Sequence, residues 1–399
     1  MHICFITYEY PPDTGIGGIA TYVFQVANAF AAKKISTDVI CGSPLNSDKT
    51  EMDPFLTVTK IKCNSVEEFR TLSPKVAYEI HSSHPFDLIE VPEYGAEGLY
   101  IKNMLPGVPL IVKLHTPRYL MKELNNHYYK KTTYRKVVKT FSGKYDFRED
   151  KEYQAIHLAD HIISPSLSLR EIVSEKWGIE KNRIIHVPNP FFPSPEFLNI
   201  PIENAEKNVL YIGRLETRKG VLNLAKAIPH VVKKIPDAKF IFLGKDGRGP
   251  AGERSMKKVL LDQLKHFANN VTFIDHVSSN KVAEYCSWAS ICVFPSLWEN
   301  FPNVCLEAMS AARPVVASAE GGMNEMLPDA KANMLVDPHD PVSIADGIVH
   351  ALLSPHKKET ALANRQKIID FYSAKVVENI IAAYSSFILE SANIREKSV

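Results

Sequence analysis

The sequence predicts an α/β protein with two consecutive doubly wound domains, and three observations lead to this prediction. The chain has 399 residues, enough for two domains that each bury a core of their own. Short apolar segments alternate with segments of helical periodicity along the sequence, which is typical of parallel sheets covered by helices on both faces. A proline-rich passage near the middle separates two halves that share this alternation.

Six apolar segments of the first half have the length and composition of inner strands. They are residues 3–8, 37–41, 88–91, 110–114, 161–164 and 184–187. We therefore place the first domain at residues 1–190.

The passage from residue 188 to residue 201 contains five prolines. Proline has no backbone N–H and a fixed φ, so a passage this rich in proline should contain neither helix nor inner strand. It is the predicted linker to a second domain at residues 205–374.

Six further apolar segments predict the strands of the second domain. They are residues 209–212, 239–243, 271–274, 291–294, 314–317 and 334–336. Pro229 lies inside the helical pattern that follows Gly220 and should kink or split that helix. Doubly wound sheets bind ligands beyond the carboxyl ends of their strands, so we expect the ligand between these edges of the two sheets.

Composition excludes several classes of protein. A formal net charge of +2 and a charged fraction of 23% do not indicate nucleic-acid binding. The six cysteines form no C-x-x-C pair, which favours buried thiols of a reducing compartment over disulfides or a metal site. With no signal-peptide pattern and no apolar run of spanning length, we expect a cytoplasmic protein.

Two carboxylates eight residues apart are the most informative local feature of the chain. Glu299 follows the predicted strand 291–294, and Glu307 lies in the helix that comes next. Eight residues span roughly 12 Å at 1.5 Å per residue, more than the 5–9.5 Å of a paired acid and base. We therefore interpret them as separate hydroxyl clamps on one extended ligand, although acidic residues near a helix start are also common for electrostatic reasons alone.

A basic, glycine-edged turn precedes them in the sequence. It runs from Gly213 to Gly220, follows the predicted strand 209–212 and contains Arg214 and Lys219. Such a turn can receive a diphosphate at the edge of a parallel sheet, whereas in isolation it would equally suit a solvated loop. Together the two motifs suggest a ligand with a polyol, a diphosphate and a ribose, which is the chemistry of a sugar nucleotide.

A third glycine-rich element lies near the start of the chain. Gly15, Gly17 and Ala20 spell the G-x-G-x-x-A dinucleotide fingerprint, so an NAD enzyme is an alternative. The element stands several residues after its strand, however, and the next strand lacks the acidic ribose ligand. Gly17 and Gly18 instead suit a loop whose backbone N–H groups approach a phosphate.

The basic turn, the glutamate pair and the segment 308–325 together resemble the family-4 retaining glycosyltransferases of GT-B fold. The resemblance covers most of the second half in the right order. It implies two Rossmann-like domains that face a central cleft, the first binding the acceptor and the second a nucleotide diphosphate sugar. It also implies that a final helix, about 375–399, joins the first domain, and that neither a cofactor nor a metal is needed.

The same resemblance implies roles for individual residues. It places His115, at the end of the predicted strand 110–114, against the donor sugar. The implied catalytic residues are His115, Arg214, Lys219 and Glu299. The implied donor-binding residues are Gly17, Gly18, Gly213, Lys245, Val277, Asn300, Phe301, Pro302, Asn303, Val304 and Glu307.

The expected reaction is therefore transfer of a hexose to a hydroxyl of a glycan or lipid-linked acceptor, with retention of configuration. UDP-glucose is the favoured donor and cell-surface polysaccharide biosynthesis the favoured pathway. A GT-B sugar-nucleotide epimerase and a non-catalytic sugar-nucleotide sensor are the alternatives.

A basic and aromatic segment lies at residues 122–148. One interpretation is peripheral contact with the inner membrane face or a lipid diphosphate, at about 1 kcal/mol per basic residue. The other is a solvated helix and loop surface, which is what charge runs usually form.

Overall fold

The structure, a computed structural model, describes residues 1–15, 17–127, 147–202, 206–250 and 253–396. These residues form two compact units. The first contains residues 1–120, 147–191 and 372–396, and the second contains residues 121–127 and 192–371. Each unit is built on one sheet that is covered by helices.

The sheet of the first unit has eight strands among the described residues, in the spatial order β3-β4-β2-β1-β5-β6-β7-β8. All neighbouring strands are parallel except β3 and β4. The order reverses between β1 and β5, where Cys4 lies opposite Ile89. The strands are β1 (His2–Thr7), β2 (Ser36–Ser43), β3 (Asp48–Asp53), β4 (Leu56–Lys62), β5 (Leu88–Pro92), β6 (Leu110–Lys113), β7 (His161–Ser164) and β8 (Ile184–His186).

Helices of the first half connect these strands. Ser65 caps the second helix by accepting a hydrogen bond from the backbone N–H of Glu68 (3.1 Å). The helices are α1 (Gly18–Ala32), α2 (Val66–Ser83), α3 (Ile101–Met104), α4 (Arg118–His127), α5 (Lys151–Leu158) and α6 (Leu167–Trp177).

The sheet of the second unit has six parallel strands among the described residues, in the order β11-β10-β9-β12-β13-β14. The order reverses between β9 and β12, where Cys292 lies opposite Leu210. The strands are β9 (Asn208–Ile212), β10 (Lys239–Leu243), β11 (Val271–Ile274), β12 (Ile291–Phe294), β13 (Val315–Ser318) and β14 (Met334–Val336).

Helices cover this second sheet as well. Buried side chains of α8 and α13 form one core with the strands, including Leu224, Ile228, Phe240, Val293 and Ile348. The helices are α7 (Pro195–Leu198), α8 (Val221–Lys234), α9 (Met256–Gln263), α10 (Ser279–Trp288), α11 (Asn303–Ser310), α12 (Met323–Met326), α13 (Pro341–Leu353) and α14 (Lys357–Lys367).

The last helix, α15 (Val376–Glu396), belongs to the first unit. Its Tyr384 is fully buried, and the hydroxyl of Tyr384 donates a hydrogen bond to the carboxylate of Glu90 on β5. The Tyr384 ring also meets Phe30 of α1 edge to face, with centroids 5.8 Å apart. Both contacts tie α15 to residues among the first hundred of the chain.

The predicted fold class is confirmed: both units are Rossmann-like α/β domains with parallel sheets. All twelve predicted strands occur, with ends that differ from the prediction by at most two residues. The hairpin of β3 and β4 was not predicted. Every residue of β3 is exposed at the sheet edge and the strand is mostly charged, so it has no apolar run to reveal it.

Pro229 does not split its helix, and the prediction that the passage 188–201 contains no helix was wrong. The helix α8 continues through Pro229 from Val221 to Lys234, because burial of its apolar face offsets the cost of about 3 kcal/mol for proline in a helix interior. The passage 188–201 does contain a helix, α7, which begins at Pro195. Proline is well suited to the first helical position, where its missing N–H would have no partner within the helix.

No helix in the described part of the chain is long and apolar enough to cross a membrane. The basic and aromatic segment predicted at 122–148 falls mostly outside the described residues, since residues 128–146 are not among them.

Candidate functional site

Two loops meet at the carboxyl edge of the second sheet. The turn from Gly213 to Gly220 follows β9, and residues 295–302 follow β12. Since β9 and β12 are neighbours where the strand order reverses, both loops leave the sheet at its topological switch point. This is the position where doubly wound sheets bind ligands.

The two loops are joined by a close backbone approach. Gly220 has a φ of +72°, and a Cβ at this position would lie 1.7 Å from the carbonyl oxygen of Pro295. The backbone N–H of Leu297 donates to the carbonyl of Arg218 at 2.8 Å. Only glycine fits such a position, so Gly220 sets the distance between the basic turn and the glutamate loop.

The loop after β13 holds the backbone of Glu299 from a second side. Gly321, which follows β13, has a φ of +84°, and its Cβ would lie 2.2 Å from the carbonyl oxygen of Glu299. The backbone N–H of Gly322 donates to that same oxygen at 2.8 Å. The backbone of Glu299 is therefore fixed independently of its side chain.

The side chains of these loops form a chain of alternating charges, which we call the ion cluster. Its members are Arg214, Glu216, Arg218, Lys219 and Glu299. Arg214 lies 3.3 Å from Glu216, and Glu216 lies 3.0 Å from Arg218. The carboxylate of Glu299 is 2.6 Å from Arg218 and 2.6 Å from Lys219.

In the ion cluster, burial and neighbouring charges shift the pKa values of Glu299 and Arg218 in opposite directions. Burial alone would raise the pKa of Glu299, but Lys219 and Arg218 lower it below its usual value. Burial alone would lower the pKa of Arg218, but Glu299 and Glu216 raise it above its usual value. Glu299 and Arg218 are therefore both held in their charged forms, and the ion cluster combines three basic side chains with two acidic ones.

Two members of the ion cluster, Arg218 and Glu216, were not among the residues predicted from the sequence, and Arg218 is the more deeply buried of the two. Its side chain is only 6% exposed, whereas that of Arg214 is 59% exposed. The sequence showed three basic residues in the turn that could pair with a carboxylate, but it did not show which of them is buried beside Glu299.

Glu307 has a different environment. It lies in the second turn of α11 and is half-buried, and burial raises the pKa of its carboxyl group to about 7. Within the described part of the chain its carboxyl group accepts no hydrogen bond. Glu307 can therefore accept hydrogen bonds from a ligand without giving up a protein partner.

The start of α11 lies between the two glutamates. Pro302 precedes the helix, and no side chain of the described residues caps it. The first backbone N–H groups of a helix have no partner within the helix, which favours an anionic ligand there. The structure thus places Asn300, Phe301, Pro302, Asn303 and Val304 in one loop and helix start beside Glu299.

The remaining residues predicted in the second unit lie at the same sheet edge. Gly213 donates its backbone N–H to Leu243 at 2.9 Å, and Leu215 donates to the carbonyl of Lys245 at 2.9 Å. Val277 follows β11, the edge strand, and is half-buried. Lys245 is therefore joined directly to the basic turn, whereas Val277 lies two strands away from β9.

His115 belongs to the first unit and follows β6. Its backbone N–H donates to the carboxylate of Glu93 at 2.6 Å, and its ring meets Tyr22 edge to face at 5.5 Å between centroids. Burial and the nearby Lys113 lower the pKa of His115 to about 3. The imidazole is therefore neutral across the physiological range.

Gly17 and Gly18 also belong to the first unit, at the start of α1. Gly17 is the extended residue before the helix, and no side chain of the described residues caps it. A Cβ on Gly18 would meet nothing within 4 Å, so the protein itself does not require glycine there. The open space beside the helix start is consistent with approach of a ligand.

Comparison with known proteins gives consistent matches over both units. Residues 16–193 match the family described as Glycosyltransferase Family 4, and residues 206–354 match the family described as Glycosyl transferases group 1. A D-inositol 3-phosphate glycosyltransferase of Acidothermus cellulolyticus is 23% identical over 414 residues, covering 96% of this chain and 88% of the relative.

Solved structures show the same fold. The sucrose-phosphate synthase of Thermosynechococcus elongatus has a TM-score of 0.71 at 21% identity and covers 98% of this chain and all of its own. The Anabaena protein HepE, solved in complex with UDP-glucose, has a TM-score of 0.66 at 18% identity and covers 97% of this chain and all of its own.

Proposed function

Because the chain belongs to the family-4, group 1 glycosyltransferases, we propose that it transfers a hexose from a nucleotide diphosphate sugar to a hydroxyl of a glycan or lipid-linked acceptor. The observation that carries this proposal is the ion cluster at the switch point of the second sheet. It combines an excess of positive charge for a diphosphate with an ionised carboxylate for sugar hydroxyls.

Each charged group has a role in the proposed reaction. Arg214 and Lys219 neutralise the charge that develops on the departing diphosphate, which lowers the barrier more than it strengthens binding. Backbone N–H groups at the start of α11 add to this stabilisation. Glu299 accepts hydrogen bonds from the hexose, and Glu307 accepts them from the ribose 2′- and 3′-hydroxyls.

The proposed transfer retains configuration. The acceptor hydroxyl forms its bond to the anomeric carbon on the face from which the diphosphate leaves. The bond from that carbon to the phosphate oxygen breaks, and the acceptor proton passes to the departing phosphate. No enzyme nucleophile is required, and Arg214 and Lys219 supply the charge that a divalent cation supplies in metal-dependent transferases.

UDP-glucose is the first donor to test, since the structural neighbour HepE binds it. The relatives described above are transferases or synthases. A neutral His115 with a pKa of about 3 is a poor acid or base at neutral pH, which favours a hydrogen-bonding role at the sugar over the acid–base work of an epimerase. Cell-surface polysaccharide biosynthesis is the proposed pathway.

Variants of the two motifs test the site. We expect Lys219→Ala and Glu307→Ala to abolish transfer while the protein stays folded, since each removes a group that contacts the donor and not the core. Nucleotide binding is measured as thermal stabilisation by UDP, GDP, ADP and NAD. Ligand at 100 times its Kd stabilises the wild type by about 2.7 kcal/mol.

Lys226→Ala on the exposed face of α8 is the matched control. It should bind and transfer as the wild type does. Wild-type turnover by Lys219→Ala or Glu307→Ala would contradict the site, and stabilisation by NAD alone would contradict the transferase.

A further inference from the structure

Arg218 is held differently from the other cations of the ion cluster. One terminal nitrogen of its guanidinium is 2.6 Å from Glu299 and the other is 3.0 Å from Glu216. Its backbone carbonyl accepts the N–H of Leu297 at 2.8 Å, so its main chain is tied to the loop that carries Glu299. With 6% of its side chain exposed, Arg218 has little surface to offer a ligand.

Lys219 and Arg214 differ from Arg218 in the number of carboxylates that they contact. Each contacts one carboxylate of the ion cluster, Lys219 that of Glu299 and Arg214 that of Glu216. If both turn toward a diphosphate, as the proposed function requires, each carboxylate loses one of its two cations. Arg218 is then the cation that remains between them.

We propose that Arg218 is a positioning residue, which bridges Glu216 and Glu299 and keeps the Glu299 carboxylate in place while Lys219 moves to the diphosphate. This inference rests on the proposed function and adds to it. The role needs arginine, because a planar fork can hold two separate carboxylates, whereas the single ammonium group of lysine is a point charge. Arg218 acts through Glu299 and contacts neither phosphate nor sugar.

Arg218→Lys tests this role because it keeps the charge and removes the bridge. Relative to the wild type, we expect kcat for hexose transfer to fall about 100-fold, as for a misplaced catalytic contact. The Kd of UDP, which has no hexose, should stay within about threefold of the wild type. In Arg214→Ala and Lys219→Ala, by contrast, UDP binding and transfer should fall together.

A double-mutant cycle with Glu299→Gln separates positioning from a structural role. If Arg218 acts through Glu299, adding Arg218→Lys to Glu299→Gln lowers the residual rate no further, since the effects of coupled residues are not additive. Additive losses would overturn the proposal, and so would parallel loss of UDP binding in Arg218→Lys or a kcat equal to that of the wild type.

Glu216→Gln tests the same bridge from its other end if Arg218→Lys fails to fold. It should lower kcat and leave UDP affinity intact, and an unchanged kcat would overturn the proposal. Failure of the proposed function gives a different result, because the wild type itself would then bind none of the nucleoside diphosphates and transfer no hexose.

Discussion

Among single residues, Glu307 and Glu299 differ in how their charge is balanced. Two cations hold Glu299 in the ionised form, whereas burial alone acts on Glu307 and raises its pKa to about 7. A carboxyl group that titrates near neutral pH makes ligand binding depend on pH if the ligand requires one of its forms. Ribose hydroxyls are donors and therefore require the ionised form.

We predict that binding of UDP strengthens with pH through Glu307. Between about pH 6 and pH 8 the ionised fraction of a group with a pKa near 7 rises about tenfold, and the affinity should follow it. The measurement is the Kd of UDP for the wild type divided by that for Glu307→Gln at each pH, which removes the titration of UDP itself. A ratio that does not change with pH would contradict the role of Glu307.

The raised pKa of Glu307 also makes the stability of the fold depend on pH, but stability falls with rising pH whereas binding strengthens. Because the folded pKa lies above the usual value of 4.5, Glu307 stabilises the protein below about pH 4.5. This contribution is lost as pH rises through about 7. The position therefore costs stability under the conditions in which it binds a ligand, as expected of a residue selected for function.

At the level of elements, two loop glycines determine how closely the loops of the site approach. Gly220 and Gly321 each leave room for a carbonyl oxygen of the loop after β12. Any side chain at these positions would separate the basic turn, the glutamate loop and the loop after β13.

We predict that Gly220→Ala is much more destabilising than Gly178→Ala. Both glycines have positive φ, +72° and +66°, but a Cβ on Gly178 would meet nothing within 4 Å. Gly178→Ala should therefore show only the conformational cost of about 1–2 kcal/mol, and Gly220→Ala at least twice that. Thermal melting measures the difference, at about 2–4 °C per kcal/mol for a domain of this size.

Transfer activity adds a second measurement to this pair. Gly178→Ala should keep its activity, whereas Gly220→Ala should lose it because the basic turn moves away from Glu299. Equal melting temperatures for the two variants would show that the close approach at Gly220 does not constrain the loops.

The elements that the sequence predicted are those with a local physical signal. Buried parallel strands are apolar runs, and the two motifs follow such runs at β9 and β12. The direction of a side chain within a turn has no such signal. Arg218 and Lys219 are adjacent cations in a short 3₁₀ turn, and only the folded structure shows that Arg218 is buried. The continuous helix through Pro229 likewise depends on packing from distant strands.

At the level of the whole molecule, the first unit is discontinuous in sequence. Strand β5 and helix α15 meet through Glu90 and Tyr384, which are separated by 294 positions. Burial raises the pKa of Glu90, while Lys113 and the hydroxyls of Tyr384 and Tyr22 act in the opposite direction. The hydroxyl of Tyr384 therefore donates one of the hydrogen bonds that the buried carboxyl group of Glu90 accepts.

We predict that Tyr384→Phe destabilises the protein by about 1–3 kcal/mol, because it leaves the buried carboxyl of Glu90 without that donor. The measurement is the free energy of unfolding of the first unit in urea. Tyr78→Phe is the control, since Tyr78 is exposed on α2 and its hydroxyl should contribute little. Equal stability of the two variants would show that α15 is held by apolar packing alone.

Because the first unit is discontinuous in sequence, its segments are synthesised at different times. Residues 372–396 are synthesised only after the whole of the second unit, so β5 emerges without the tyrosine that Glu90 needs. The second unit draws most of its residues from 192–371 and can form most of its core while the first still lacks a helix. We therefore expect the nascent first unit to stay partly open, and within reach of chaperones, until α15 has been synthesised.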